Sequence, residues 1–324
     1  MTRVTIAGGT GFTAGELIRL LYCRKDVLIA SVTSTSCADR KITDVHRDLL
    51  GDIDLTFSEE PAGCDVLFLC LGHGLSRAYL EKYSIPQECR IIDLGNDFRI
   101  EDTFGKRKFV YGLTDLNRNA IENAGSIANP GCFATAILLG IVPFAVNGLL
   151  KDEIHVTALT GATGAGKKLQ ETTQFNYRSG NISVYKPFTH QHLEEIRKTI
   201  AALNGGNTPQ INFVPMRGDF TRGIFASIYT RVPQGFTQEN ADDVYKEFYK
   251  DSPFVHISDA PISMKEVVNT NKCLIHTELH QGYLLIESTI DNLIKGASGQ
   301  AVENMNLMLG LDEAEGLKLK PSCF

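Results

Sequence analysis

Hydrophobic positions along the chain follow two different periods, and the order of those periods predicts the fold. Val4–Ala7 is a short β-branched run, and Gly8, Gly11 and Ala14 follow it at three-residue spacing. The segment from Glu16 to Tyr22 then predicts a helix, and Val27–Val32 a second strand, which completes a β-α-β unit. "CDVLFLCLGHG" (64–74) and "RIIDLGNDFR" (90–99) contain short runs of the kind a parallel sheet buries on both faces. Beyond residue 129 the pattern changes. "FATAILLGIVPFAVNGLL" after Cys132 predicts a helix, and "ENADDVYKEFYKD" (239–251) another. "GIFASIYTRV" (223–232) and "GYLLIESTI" (282–290) alternate as strands do. "SGQAVENMNLMLGL" (298–311) predicts an amphipathic helix that packs back on the first domain. The expected class is α/β, with a mostly parallel dinucleotide-binding domain (1–128 and 297–324) and a mixed α+β catalytic and oligomerisation domain (129–296).

Composition narrows the choice of partners. A chain of 324 residues exceeds one ordinary core, which fits two domains. The net charge of −6 is spread among interspersed acids and bases, and without a basic stripe nucleic acid is not an expected partner. "MTRVTIAGGT" runs directly into a strand rather than through the regions of a signal peptide. The longest apolar stretch, 133–146, is broken by Pro143 and is shorter than a membrane span, so a cytoplasmic protein with no membrane association is expected. Cysteines stand at 23, 37, 64, 70, 89, 132, 273 and 323, with no C-x-x-C pair, which predicts reduced thiols and no zinc site.

The first turn carries the first candidate chemistry. Gly8 permits a tight turn, Gly11 lets a pyrophosphate approach the backbone, and Ala14 or Gly15 allows close helix–strand packing. The helix N-terminus attracts the anion. A glycine pattern alone also arises from structural turns; with a strand before it and a helix and second strand after it, a dinucleotide site is the expected reading. An NAD site usually has an acid at the end of the second strand. Here "TSTSCADRK" offers Ser34, Thr35 and Ser36, then Arg40 and Lys41, which suit the 2′-phosphate of NADP, although an ordinary solvated loop has the same composition. Parallel strands present ligands at their carboxyl ends, which places Gly72, His73 and Gly74 beside the cofactor and Asp97 and Arg99 near the substrate. Arg99 there can grip a carboxylate or form a surface salt bridge.

Cys132 follows Asn-Pro-Gly and begins the apolar helix, so its thiol falls at or near an N-cap. Helix amides and the helix dipole stabilise a thiolate there, and a thiolate can attack an activated carbonyl and leave again. A buried structural cysteine is the competing reading. The candidate proton-transfer partner lies in "YKPFTHQHLEEIRKTIAAL" (185–203), where His190 and His192 precede a helix carrying Glu194 and Glu195. "ALTGATGAGKKLQ" (158–170) is glycine-rich but has Lys168 where a P-loop needs Ser or Thr, leaving a backbone cradle or a lid.

Taken in order, "GGTGFTAGEL", "DLGNDFR", "ANPGCFAT", "TGATGAGKK", "HQHLEEI" and "DNLIKGASGQAVENMN" resemble the N-acetyl-γ-glutamyl-phosphate reductases of arginine biosynthesis over nearly the whole chain. That resemblance implies a Rossmann-type domain, a catalytic and dimerisation domain of the semialdehyde dehydrogenase type, and NADP(H)-dependent reductive dephosphorylation of an acyl phosphate, with release of phosphate. It makes Cys132 the nucleophile and His192 the acid/base, and sets Arg99, His190, Glu195 and Arg222 near the substrate. The expected cofactor contacts are Gly8, Thr10, Gly11, Phe12, Thr13, Ser34, Arg40, Gly72, Gly166 and Asn292, and strands rich in apolar residues on both faces suggest an oligomer, expected as a homodimer or homotetramer. Phe12 and Phe133 stand where the family usually has tyrosine, and Ala134 where it has proline. The extra residues "RGDFT" leave Arg217 and Arg222 as alternatives for the substrate contact. Aspartate-semialdehyde dehydrogenase chemistry, an N-succinyl substrate, and a non-catalytic dinucleotide sensor are the rival readings.

Overall fold

The computed structural model describes residues 1–322. The chain divides into two compact units, Met1–Pro130 with Ala297–Lys318, and Gly131–Gly296 with 319–322.

The first unit opens with β1 (Thr2–Ala7), α1 (Phe12–Leu21) and β2 (Val27–Thr33), followed by β3 (Val66–Leu69), α2 (Ser76–Lys82) and β4 (Arg90–Asp93). A two-strand hairpin, β5 (Thr103–Phe104) and β6 (Arg107–Lys108), precedes β7 (Val110–Tyr111), α3 (Thr114–Glu122) and β8 (Ser126–Ala128). Six strands form one sheet in the order β2-β1-β3-β4-β8-β7, with every pair parallel. β3 is buried along its whole length, as its unbroken apolar sequence requires. Strand order reverses between β1 and β3, the place where open parallel sheets bind ligands.

Three boundaries differ from the sequence expectation. The first helix starts at Phe12 rather than Glu16, because Gly11 in extended conformation already serves as its N-cap. The runs 64–74 and 90–99 narrow to β3 and β4, since both chains turn once they leave the sheet. Asp97 fixes those turns by accepting from the Gly74 amide at 2.8 Å and the Arg77 amide at 3.2 Å.

The second unit begins with α4 (Cys132–Val146) and continues through β9 (Ile154–Thr160), α5 (Phe175–Arg178), β10 (Ser183–Val184), α6 (His192–Leu203), β11 (Ile211–Arg217) and β12 (Ile224–Arg231). Then come α7 (Gln238–Tyr249), β13 (Val255–Ile257), β14 (Cys273–His280) and β15 (Tyr283–Ile290). Its seven-stranded mixed sheet runs β10-β11-β9-β12-β15-β14-β13. Alternation in β9 and β12 turns Ile154, Val156, Ala158, Ile224, Ala226 and Ile228 into the core, where α4 packs against β12, β14 and β15. Pro143 sits inside α4 and withholds the amide that the Leu139 carbonyl would accept. The buried Tyr249 hydroxyl supplies the missing donor to the Leu139 carbonyl, and the buried Tyr245 hydroxyl donates to the neighbouring Gly140 carbonyl, each at 2.5 Å.

A π-helical turn at Ile294–Ser298 leads into α8 (Gly299–Met308), which belongs to the first unit. The expected amphipathic helix is instead buried on every side. Glu303, Asn304 and Asn306 find partners within the unit, which offsets the cost of burying them. Thr114 donates to Glu303 at 2.6 Å, Asn304 donates to the Gly112 carbonyl at 2.9 Å, and Arg24 donates to Asn306 at 2.7 Å. No helix among the described residues is long and apolar enough to cross a membrane.

Candidate active site

Cys132 is the first residue of α4, half-buried, with Gly131 as an extended N-cap and no side chain capping the helix. Two glycines fix what surrounds it. The His192 ring lies so close to Gly131 that a Cβ there would come within 2.4 Å of Nε2. On another side Gly296, in the π-helical turn, would set a Cβ 2.9 Å from the Cys132 Cβ. The Gly131 amide donates to Glu195 Oε2 at 3.1 Å, so the residue before the thiol is tied to α6. Glu195 Oε1 is 3.9 Å from His192 Nε2, too long for a hydrogen bond.

His192 opens α6, and its own amide donates to His190 Nδ1 at 3.2 Å. That bond requires an unprotonated Nδ1. Burial first, then the charges of Lys186 and Arg217, push His190 down to about 4. Phe133 closes this corner, with its ring edge-on to His190 (5.4 Å), His192 (6.3 Å) and Phe213 (5.2 Å).

A phenol does stand in this region, supplied by Tyr185 rather than by residue 133. Its ring is 5.7 Å from His190, and burial, followed by the charge on Cys132, raises its ionisation above the ordinary range. The Arg217 guanidinium lies 4.6 Å above that ring. Its Nε is buried without a hydrogen-bond partner, and Nη1 reaches Thr172 at 3.4 Å. Arg222 is placed differently. It meets Asp291, which is fully buried, through two bonds of 3.0 and 3.1 Å. Asp291 also accepts from the amides of Asn269, Leu293 and Ile294, so the pair holds the turn that precedes Gly296.

The remaining candidates are distributed over both units. In the first, the turn after β1 (Gly8, Thr10, Gly11, Phe12, Thr13) and the turn beginning at Gly72 flank the switch point. Gly8 has φ +81°, and a Cβ on it would lie 2.6 Å from the Cys70 carbonyl oxygen. His46, which carries no motif signal in the sequence, holds this turn through a 2.7 Å bond to the Gly9 carbonyl. Ser34 accepts from the Cys37 amide at 3.2 Å, and exposed Arg40 lies 3.8 Å from Asp44. Arg99 is 5% exposed and donates to the carbonyls of Asn129 (2.9 Å) and Leu94 (3.2 Å), so it is no surface salt bridge. In the second unit Gly166 ends a short 3-10 turn at φ +76°. Asn292 donates to Thr163 at 3.0 Å and accepts from the Gly223 amide at 2.7 Å, joining two loops. Cys132, His190, His192 and Glu195 are thus brought together, whereas Arg222 and Asn292 are committed to other partners. Gly296 and Tyr185 are neighbours with no role marked in the local sequence, and Gly131, read there only as part of the helix stop, also admits the His192 ring.

The semialdehyde dehydrogenase NAD binding domain matches residues 3–124, and the semialdehyde dehydrogenase dimerisation domain matches residues 132–292. The N-acetyl-gamma-glutamyl-phosphate reductase of Phocaeicola vulgatus is 49% identical over 326 residues, covering all of both chains. That of Bacteroides fragilis is 50% identical over the same length and coverage. Among solved structures, the aspartate semialdehyde dehydrogenase of Francisella tularensis superposes with a TM-score of 0.71 at 14% identity, covering 95% of this chain and 100% of its own. That likeness is one of fold, while the full-length identity fixes the family. This chain belongs to the N-acetyl-gamma-glutamyl-phosphate reductases, within the semialdehyde dehydrogenase fold.

Proposed function

We propose that this chain reduces N-acetyl-γ-glutamyl phosphate to N-acetyl-glutamate semialdehyde with NADPH, through a thioester on Cys132. The observation that carries this reading is the thiol at the uncapped N-terminus of α4, with His192 and Glu195 seated on the residue before it. The Cys132 thiolate attacks the acyl carbon, and the first amides of α4 receive the oxyanion as phosphate departs. NADPH, when bound, supplies a hydride to the thioester carbon. His192 holds the proton that the resulting alkoxide takes up and returns as the C–S bond breaks. Glu195 is a positioning residue, since it grips the Gly131 amide. His190 is another, because its Nδ1 is occupied by the His192 amide.

For the substrate's anionic end we assign Arg217, whose buried Nε points to no protein partner, rather than Arg222, which is bound to Asp291. Arg99 holds the Asn129 carbonyl and so fixes the approach to Pro130. The first unit suits a dinucleotide. No side chain caps α1, no acid lies in its first turn, and a Cβ on Gly11 would meet nothing nearer than 3.9 Å. Gly8, Thr10, Gly11, Phe12, Thr13 and Gly72 would hold the pyrophosphate half, and Ser34 and Arg40 the 2′-phosphate. The protein acts in the cytoplasm as a homodimer, through the half-exposed face of the seven-stranded sheet that carries His155, Tyr229 and Tyr283.

The test is phosphate-dependent oxidation of N-acetyl-glutamate semialdehyde, its N-succinyl analogue and aspartate semialdehyde, each with NADP and NAD. The expected result is the highest kcat/KM for the N-acetyl compound with NADP. Equal or better turnover of aspartate semialdehyde supports the rival dehydrogenase, and cofactor binding without any turnover supports a sensor.

A further inference from the structure

Two other cysteines sit in a pair that the reductase chemistry does not use. Cys64 lies just before the bend that leads into β3, and Cys89 in the bend that leads into β4. These strands are parallel neighbours, with Val66 opposite Arg90. The two Sγ atoms are 3.7 Å apart, in van der Waals contact. Cys89 is 4% exposed and packs in a core cluster with Leu67, Ile91 and Phe109, while Cys64 lies partly exposed at the rim of that cluster. Both stand at the amino ends of their strands, the opposite end of the sheet from the Gly8 and Gly72 turns. The buried Arg107 guanidinium donates to the Cys89 carbonyl at 3.1 Å and brings a positive charge to this corner.

We propose that Cys64 and Cys89 form a reversible intramolecular disulfide, a redox modification site separate from Cys132. The oxidant is a small-molecule disulfide of the glutathione type. The Cys64 thiolate attacks one of its sulfurs, forming a mixed disulfide and releasing one thiolate. Cys89 then loses its proton to solvent and attacks Cys64 Sγ, releasing the second. The two cysteines together give up two electrons and two protons, and the small disulfide becomes two thiols. Closure requires the Sγ atoms to approach by about 1.7 Å, to the ~2.05 Å of an S–S bond, which two bends outside the ladder can absorb.

The electrostatics assign the roles. The hydrogen bond between the two thiols holds Cys64 below the ordinary thiol range, with Thr5 adding to the effect. That same bond, then burial, keeps Cys89 protonated until the mixed disulfide has formed. The exposed partner is therefore the attacking thiol and the buried one resolves it.

The experiment is incubation of the whole enzyme with oxidised glutathione, alkylation, proteolysis and mass mapping. The expected product is a linked Cys64–Cys89 peptide in most molecules, lost on treatment with dithiothreitol. In Cys89→Ala the glutathione remains on Cys64, and Cys64→Ser abolishes the linkage while acyl-phosphate reduction stays within twofold of wild type. Peptide-resolved alkylation of the wild type needs no variant, and should show Cys64 half-maximal below pH 8, against ~8.5 for an ordinary thiol. Absence of the linked peptide overturns the proposal, most plainly if exposed Cys23 has taken up glutathione in the same sample. So does an ordinary alkylation profile at Cys64.

Discussion

Gly131→Ala should disable the enzyme without unfolding it. The new Cβ would stand 2.4 Å from His192 Nε2 and 2.6 Å from both Cδ2 and Cε1. Ordinary contacts of this kind are ~3.5 Å, so the ring must retreat by about 1 Å. It has little freedom to do so. His190 lies 4.7 Å away centroid to centroid, and the Phe133 edge closes another side. Gly131 itself has φ −72° and ψ 151°, which alanine adopts freely, so the clash is the whole perturbation. A misplacement of this size costs ~100-fold in kcat when the displaced group moves a proton, and overpacking costs about 1–3 kcal/mol of stability. The assay is steady-state NADPH oxidation with the acyl phosphate, together with a thermal melt and an NADPH titration. The predicted outcome is kcat lowered 30- to 300-fold, with cofactor affinity unchanged and a folded protein. Gly125→Ala, whose Cβ enters open space, is the control and leaves kcat alone. A folded Gly131→Ala variant with kcat within threefold of wild type would refute the placement of His192 against the thiol segment.

His190 yields a pH prediction. Its folded value of about 4 lies below the ~6.5 of the unfolded chain, so it binds fewer protons when folded. The stability it confers is complete above pH 6.5 and is lost as pH falls towards 4, by no more than about 3 kcal/mol. Urea melts at pH 7 and 4.5 should show that loss shrinking in His190→Gln; an identical loss in the variant contradicts it. Arg217→Met should raise the KM for acyl phosphate at least tenfold at unchanged NADPH affinity. Arg222→Met should instead lower stability by about 3–5 kcal/mol, by stranding Asp291. Equal KM effects in the two variants would count against that division. Tyr249→Phe should cost about 1–2 kcal/mol, because it leaves the Leu139 carbonyl beside Pro143 short of a donor. A denaturation midpoint identical to wild type would show that α4 repairs itself another way.

Much of this architecture is legible because it is local. The strand, glycine turn and helix at the N-terminus announce themselves by period, and the short apolar runs identify strands buried on both faces. Cys132 is legible for the same reason, since Pro130 and Gly131 stop a helix from forming before it. Long-range geometry is what the linear pattern withholds. Gly131 reads as a helix stop, yet its second role is to admit the His192 ring from α6. Gly296 likewise needs the approach of Cys132 to explain it. Arg217 and Arg222 are equivalent cations on paper, and only the burial of Asp291 beside one of them separates the two. α8 reads as amphipathic because Gln300, Glu303, Asn304 and Asn306 are polar; the partners of Asn306 and Glu303 come from segments as distant as Arg24 and Thr114. Polar residues in a helix mark a solvent face only when nothing else in the chain satisfies them.

The central claim is a covalent acyl-enzyme on Cys132. Mixing the enzyme with N-acetyl-γ-glutamyl phosphate in the absence of NADPH, followed by rapid acid quench, intact-mass measurement and phosphate assay, tests it directly. The predicted result is a rapid release of about one phosphate per subunit, with an acyl adduct that maps to the Cys132 peptide and disappears when NADPH is added. Cys132→Ser should give neither. A wild-type enzyme that turns over yet shows no release and no adduct, or an adduct on another residue, would contradict the thioester and with it the role assigned to Cys132.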